Sequence, residues 1–351
     1  MNAFENKSYL KGFGLSLFFI LLLVFSSCRT VQEVEIRERM DDGYYQNHVQ
    51  SDLVRQQIKE SFNTVRRIQS NVSYRTYQFY VDDMPFESQL QDVDFAEMAA
   101  ESSVDNHSTA GTAIVLSQQR GRVALLSAAH TVSFPDTIWH YGDGITVAGD
   151  QQVEAVSVRE NINQFVFTDD GIEMLEFILA DPRRDLAVMR SQTSIGSEAN
   201  LRPLNLTIGN FEQLDWSDMI YAMGYPRGVK MVTQGTASRS EHPIRRLVMD
   251  ISINRGFSGG AVFAVRSDGS GLEWVGMITS AMGEQETYLA PEVQHDEEYN
   301  PDLPYEGTVY VRTASRIHYG ITNAVDVDQI RDFLSENIDE LRARGVSVPD
   351  I

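Results

Sequence analysis

Residues 245–265, RRLVMDISINRGFSGGAVFAV, set a serine, Ser258, inside the run GFSGG with β-rich segments on both sides. RRLVMDISI alternates before the glycines, and AVFAV alternates again after them, so the pattern reads strand, glycine-rich turn, strand. Glycines flanking a serine permit backbone conformations that aim successive N–H groups at one spot. Each such donor can stabilise a developing oxyanion by roughly 3 kcal/mol. A plain flexible turn is the other reading of the same residues.

GFSGG also fits G-x-S-x-G, the nucleophile elbow of α/β-hydrolases, which requires a helix directly after the serine and then an acid and a histidine downstream. AVFAV has a strand pattern, and the best histidine and aspartate lie upstream, so the elbow reading fails. Working outward, SYRTYQFYV (73–81), TAIVLS (112–117), RVALLSAA (122–129), NQFVF (163–167), MLEFILA (174–180), DLAVMR (185–190), MIYAMGY (219–225) and EWVGMITS (273–280) read as further strands. Many short strands separated by turn signals predict an all-β barrel or sandwich. Leu53, Val54, Ile58, Phe62, Val65 and Ile68 recur at helical spacing after Ser51-Asp52 and predict a short amphipathic helix. A second helix is predicted over residues 325–345. The acidic stretches 82–107 and 283–307 read as surface loops.

The 351 residues carry 50 acidic against 29 basic side chains, a formal charge of −21, which disfavours a surface that tracks phosphates and excludes nucleic acid as the expected partner. Lys7 and Lys11 precede an apolar run, Leu15 to Phe25, of signal-peptide length. Cys28 is the sole cysteine of a chain that reads as exported, so no intrachain disulfide is possible. VFSSC resembles a bacterial lipobox, which implies a Cys28 that is acylated and becomes the first residue after cleavage. At roughly 0.8 kcal/mol per buried methylene, several acyl chains hold a protein at a membrane firmly. Arg29, in place of an aspartate, points to the outer membrane of the cell envelope. The expected organisation is a signal peptide over 1–27, a polar tether over 28–50 and a folded domain over 51–345.

His130 ends an apolar strand in SAAHTV, the position of a general base held on a rigid element, although a buried structural histidine would look the same. In DPRRDLAVMR, Asp181 before Pro182 opens a turn, and Asp185 begins an alternating run where its carboxylate can orient an imidazole. A plain turn aspartate fits Asp185 equally.

The order SAAH, DPRRDLAVMR, GYPRGVKMVTQGTAS (224–238), MDISINRGFSGGAVF and GITNAVDVDQIRDFL (320–334) resembles the trypsin-like serine peptidases, specifically the bacterial Htr/Deg branch, over residues 65–334. The resemblance implies two six-stranded antiparallel β barrels, about 65–190 and 200–322, with an N-terminal helix and a closing helix. It implies that His130, Asp185 and Ser258 form the catalytic triad and that the N–H groups of Gly256 and Ser258 form the oxyanion hole. Thr279 would hydrogen-bond near the triad aspartate, and Thr279, Ser280 and Ala281 would pair with the substrate backbone. Ser252 and Ile253 would form part of the S1 wall, favouring a small or medium apolar side chain. No metal or cofactor is implied, and neither HExxH nor CxxC spacing occurs.

The expected activity is that of a serine endopeptidase acting on unfolded or exposed envelope polypeptides. Too little chain follows Ala281 for a PDZ domain, so assembly, including any homo-oligomer, would rest on the lipid and the N-terminal helix. Two departures stand out: Phe257 where the family has Asn or Asp before the serine, and Arg255 in place of a common proline. They imply an alternative, a protease-shaped binding protein or chaperone whose oxyanion hole is collapsed or forms only on binding.

Overall fold

Alternate burial along strand β1 (Val65–Gln78) shows how the first barrel forms: residues 68, 70, 72 and 74 are buried and those between are half-exposed. A period of two puts one face on a core and the other toward solvent. The computed structural model describes residues 51–147, 149–194, 201–239, 246–291 and 309–348. The segments expected to be signal peptide and tether, with Cys28, and residues 292–307 of the second acidic stretch lie outside the described residues.

In the first barrel β1 pairs with β2 (Glu101–Gln119), followed around the sheet by β3 (Arg122–Ala128), β7 (Leu186–Ser191), β6 (Ile172–Asp181) and β5 (Asp150–Phe167). Pairing of β5 back onto β1 closes six antiparallel strands, and β4 (Thr137–Val147) is added on β5. Ile68, Val115, Leu125, Val166 and Met189 fill it.

The second barrel runs β12 (Ala261–Val265), β9 (Met219–Gly224), β10 (Met231–Arg239), β11 (Leu247–Met249), β14 (Val309–Asp326), β13 (Leu272–Pro291). It is closed by β12 on β13, with the short β8 (Thr207–Ile208) added in parallel to β13. Ile220, Met249, Phe257, Val262 and Ile278 are in its core. The two-barrel architecture is the one the resemblance implied. Closure pairs the sheet edges that would otherwise invite other chains.

Helix α1 (Asp52–Ser61) docks on the second barrel, where Gln57 Oε1 accepts from Leu272 N at 2.8 Å. It is shorter than its apolar spacing predicts. Val65 and Ile68 belong to β1, because they satisfy a helical spacing and a strand spacing alike, and two-sided pairing with β2 and β5 decides for the strand.

The described parts of both acidic stretches are more ordered than the loop reading allowed. Residues 82–107 hold a helical turn, Phe95–Met98, and then enter β2, where Glu101 pairs with Gln78. Residues 101–108 are exposed throughout, so no buried face marks the strand in the sequence. Likewise β13 and β14 continue past the barrel as a two-stranded ribbon, with Gly283 opposite Ile317 and Pro291 opposite Val309. The closing helix is two helices, α3 (Val327–Glu336) and α4 (Ile338–Ala343), broken at Asn337. Asp326, fully buried, caps α3 by accepting from Gln329 N at 2.9 Å.

Candidate active site

Residues 129–132, α2 (Ala129–Val132), form one helical turn directly after β3, and its first N–H groups have no partner within the turn. Asp185 supplies them. Its carbonyl accepts from Ala129 N at 3.1 Å, and its Oδ1 accepts from His130 N at 2.9 Å. Its Oδ2 lies 2.8 Å from His130 Nδ1. A carboxylate only accepts, so Nδ1 carries the proton and Nε2 is left as the acceptor. The imidazole is fixed at one end, while the side chain as a whole is 48% exposed.

Asp185 reaches this position with φ at 59°, in the left-handed region that non-glycine residues seldom occupy. The turn before it is set by Asp181, whose Oδ1 accepts from Arg183 N at 2.9 Å and Arg184 N at 3.3 Å, the turn-opening role its place before Pro182 predicted. Arg184, adjacent to Asp185, is gripped by both carboxylate oxygens of Glu336 at 2.7 and 2.9 Å. That bond holds Glu336 below the usual carboxylate range and ties α3 to the Asp185 turn.

The serine loop is held by both barrels. Phe257 N donates to Asn254 O at 3.1 Å, and Gly256 has φ of +97°, which makes residues 254–257 a tight turn with glycine at the third position. Arg255 O accepts from Arg227 N at 2.9 Å. Across a trans peptide the C=O and N–H point in opposite directions, so the Gly256 N–H faces away from Arg227. Among the described residues, neither Gly256 N nor Ser258 N donates to another group, which leaves both free for an oxyanion.

Thr112, fully buried on β2, makes two bonds to this loop and one to the segment after β9. Its N donates to Ser258 O at 2.8 Å, and its Oγ1 donates to Gly256 O at 2.7 Å while accepting from Tyr225 N at 2.9 Å. Ser127 Oγ, three residues before His130, donates to Thr112 O at 2.7 Å. Through Thr112 the Ser258 backbone is thus registered against β3, the strand that leads into His130. On the other side Gly259 N donates to Ile278 O at 2.7 Å, and Ile278 N donates to Gly260 O at 2.8 Å. Among the described residues no hydrogen bond joins His130 Nε2 to Ser258 Oγ. Such bonds commonly tighten only when a ligand excludes water.

Phe257 is 0% exposed and lies in the second core, where a Cβ on Gly224 would fall 2.7 Å from its ring. Burial of an aromatic ring therefore anchors the loop at the position where the resembled family uses a polar residue. In the sequence alone Phe257 stands out only as a departure, and Thr112 is not distinguished. The only local signals were that Thr112 opens an apolar strand and that GYPRG precedes a new one.

Two of the remaining expectations change, those for Thr279 and Ile253. The Thr279 hydroxyl donates to Asn323 O at 3.3 Å within the second barrel, not to Asp185. Ile253, 5% exposed, is a core side chain packed with the Phe257 cluster, whereas Ser252 is exposed. Ser280 and Ala281 pair with Asn323 and Thr322 of β14 along one edge of β13, and their other edge is open among the described residues.

Two closed antiparallel barrels, one bearing a histidine held by an aspartate and the other a serine loop whose Gly256 and Ser258 N–H groups are free among the described residues, make up a trypsin-like all-β fold. Residues 111–276 match the family model of the trypsin-like peptidase domain, a span that takes in His130, Asp185 and Ser258. The match and the barrels together support a protease function of the serine type. No curated protein matches the chain.

Proposed function

We propose that the protein is a serine endopeptidase with His130, Asp185 and Ser258 as its triad. Ser258 Oγ attacks the scissile carbonyl carbon as His130 Nε2 takes the hydroxyl proton. The carbonyl oxygen, now an oxyanion, accepts from the N–H groups of Gly256 and Ser258. Collapse breaks the C–N bond, and His130 passes its proton to the leaving amine, which leaves an acyl ester on Ser258. Water then attacks that ester, giving a proton to His130, and the carboxylic acid product departs as Ser258 regains its proton. Asp185 stays ionised, holds the ring and stabilises the imidazolium.

The observation that carries this reading is the Asp185 carboxylate, which engages both the backbone N and Nδ1 of His130, at 2.9 and 2.8 Å. The Arg255 carbonyl, held on Arg227 N, weighs against a binding protein with a collapsed oxyanion hole. Substrates in this reading are unfolded or exposed polypeptides of the cell envelope, met at the outer membrane through acylated Cys28; the VFSSC run supports that location. The exposed Ser252 would line the S1 pocket.

Ser258→Ala should abolish hydrolysis of a denatured protein, because loss of a triad nucleophile lowers kcat by about a millionfold. A fluorophosphonate should label Ser258 in a manner that needs His130. Unchanged turnover by Ser258→Ala, or no labelling even with peptides present, would overturn the proposal. Cys28→Ala should release the protein from the membrane fraction.

A further inference from the structure

We infer that the ribbon formed by β13 and β14 beyond the second barrel is an extended docking edge for the substrate polypeptide, on the amino-terminal side of the cleaved bond. The inference rests on the protease reading and enlarges its substrate site well past residues 279–281.

The edge starts at the serine loop. Ile278 exchanges hydrogen bonds with Gly259 and Gly260, immediately after Ser258. The same edge of β13 pairs with β12 only as far as Met277. From Thr279 to Pro291, among the described residues, β13 pairs with β14 alone. Its outward N–H and C=O groups therefore form an open template that leads away from the nucleophile. A strand added there antiparallel runs toward its own N-terminus as it leaves Ser258, so these are the unprimed residues.

The template is long. The ten residue steps from Ala281 to Pro291 extend it by about 34 Å. A surplus of residues interrupts β14, which takes five steps from Ile317 to Thr322 while β13 takes two from Gly283 to Ala281. The irregularity thus falls mostly on the strand away from the open edge. A two-stranded ribbon is marginal by itself and gains from a third strand. Its far end also carries apolar side chains in water on both faces: Leu289, 67% exposed, opposite Val311, 71%, on one, and Tyr288 and Tyr310 on the other. Backbone pairing accepts any sequence, and these side chains favour apolar segments. The occupant that fits both is an extended, unfolded chain with apolar residues.

The test uses the full-length Ser258→Ala protein and fluorescent peptides with common residues around the cleavage point. The unprimed side is lengthened from three to about twelve residues, the reach of the edge. Affinity, read by anisotropy, should rise with unprimed length and not with primed length. N-methylation of the peptide backbone beyond the third unprimed residue should weaken binding at every second position, about fivefold for each hydrogen bond lost, and leave the positions between unchanged. A variant in which an Asn-Gly turn joins Gly283 to Ile317 should bind short peptides as before and lose the length dependence.

Affinity independent of unprimed length, or an N-methyl scan without alternation, would overturn the inference while short-peptide cleavage kept the protease reading intact. Failure of the unsubstituted protein to cleave any peptide or take a fluorophosphonate would instead remove the protease reading, whatever the ribbon binds.

Discussion

Thr112 Oγ1, on the first barrel, donates at 2.7 Å to the carbonyl of Gly256, on the turn of the second barrel that presents the oxyanion donors. The same hydroxyl accepts from Tyr225 N at 2.9 Å, so one buried side chain ties three segments together. Thr112→Val keeps the shape and removes both bonds. We expect kcat to fall about 10-fold to 100-fold with KM little changed, since a well-placed oxyanion donor is worth roughly 3 kcal/mol and the turn is loosened rather than lost. Thr112→Ser should restore most of the rate. Equal damage from Val and Ser would mean that packing, not the hydroxyl, is what matters.

Phe257 fills the second core beneath the serine. Truncation to Ala should cost about 3–5 kcal/mol, read as a lowered urea midpoint, and should slow fluorophosphonate labelling under conditions where the protein remains folded. Phe257→Leu should keep most of both. An alanine variant as stable as the parent would show that the loop is held by its hydrogen bonds alone.

Asp185→Asn tests the tautomer. An amide can present an N–H to His130 Nδ1 and so place the ring proton on Nε2, where it blocks acceptance from Ser258. Turnover should drop about 10⁴-fold while the thermal midpoint moves little. A loss matched by unfolding would assign Asp185 to structure alone.

Glu176 is bonded to Arg190 at 2.8 Å and to Arg344 at 2.9 Å, joining the first barrel to the end of α4. The Arg190 guanidinium, with Arg344 behind it, holds the carboxyl below its ordinary range. A depressed folded value means stabilisation that is complete above the unfolded pKa of about 4.3 and fades as pH falls through the folded one. Urea midpoints of the parent should therefore fall on acidification. Glu176→Gln should sit below the parent at neutral pH and converge with it in acid. The gap should be modest, since the carboxylate is 36% exposed. A constant gap across the range would place the effect elsewhere.

Much of the molecule was legible locally. Strand, glycine-rich turn and strand around Ser258, the closing of an apolar strand on His130, and the alternating run after Asp185 are patterns within a few residues. Burial on one face writes them into the sequence with a period of two. That is why an all-β barrel or sandwich is legible in the pattern, whereas the division into two barrels and the pairing of roles among His130, Asp185 and Ser258 are what the resemblance implies.

What the sequence determined by itself was the run of alternating strands and the place of His130, Asp185 and Ser258 at their ends. Tertiary structure alone decided that Thr112 holds a turn 144 residues away, that Phe257 is an anchor and that Thr279 bonds to Asn323. It also decided that residues 101–108 and 283–291 are strands. The reason is physical: contacts between distant segments leave no periodic mark. Residues 101–108 lie in water on both faces, and the far end of the ribbon exposes apolar side chains on both, so neither has the buried stripe from which periodicity is read.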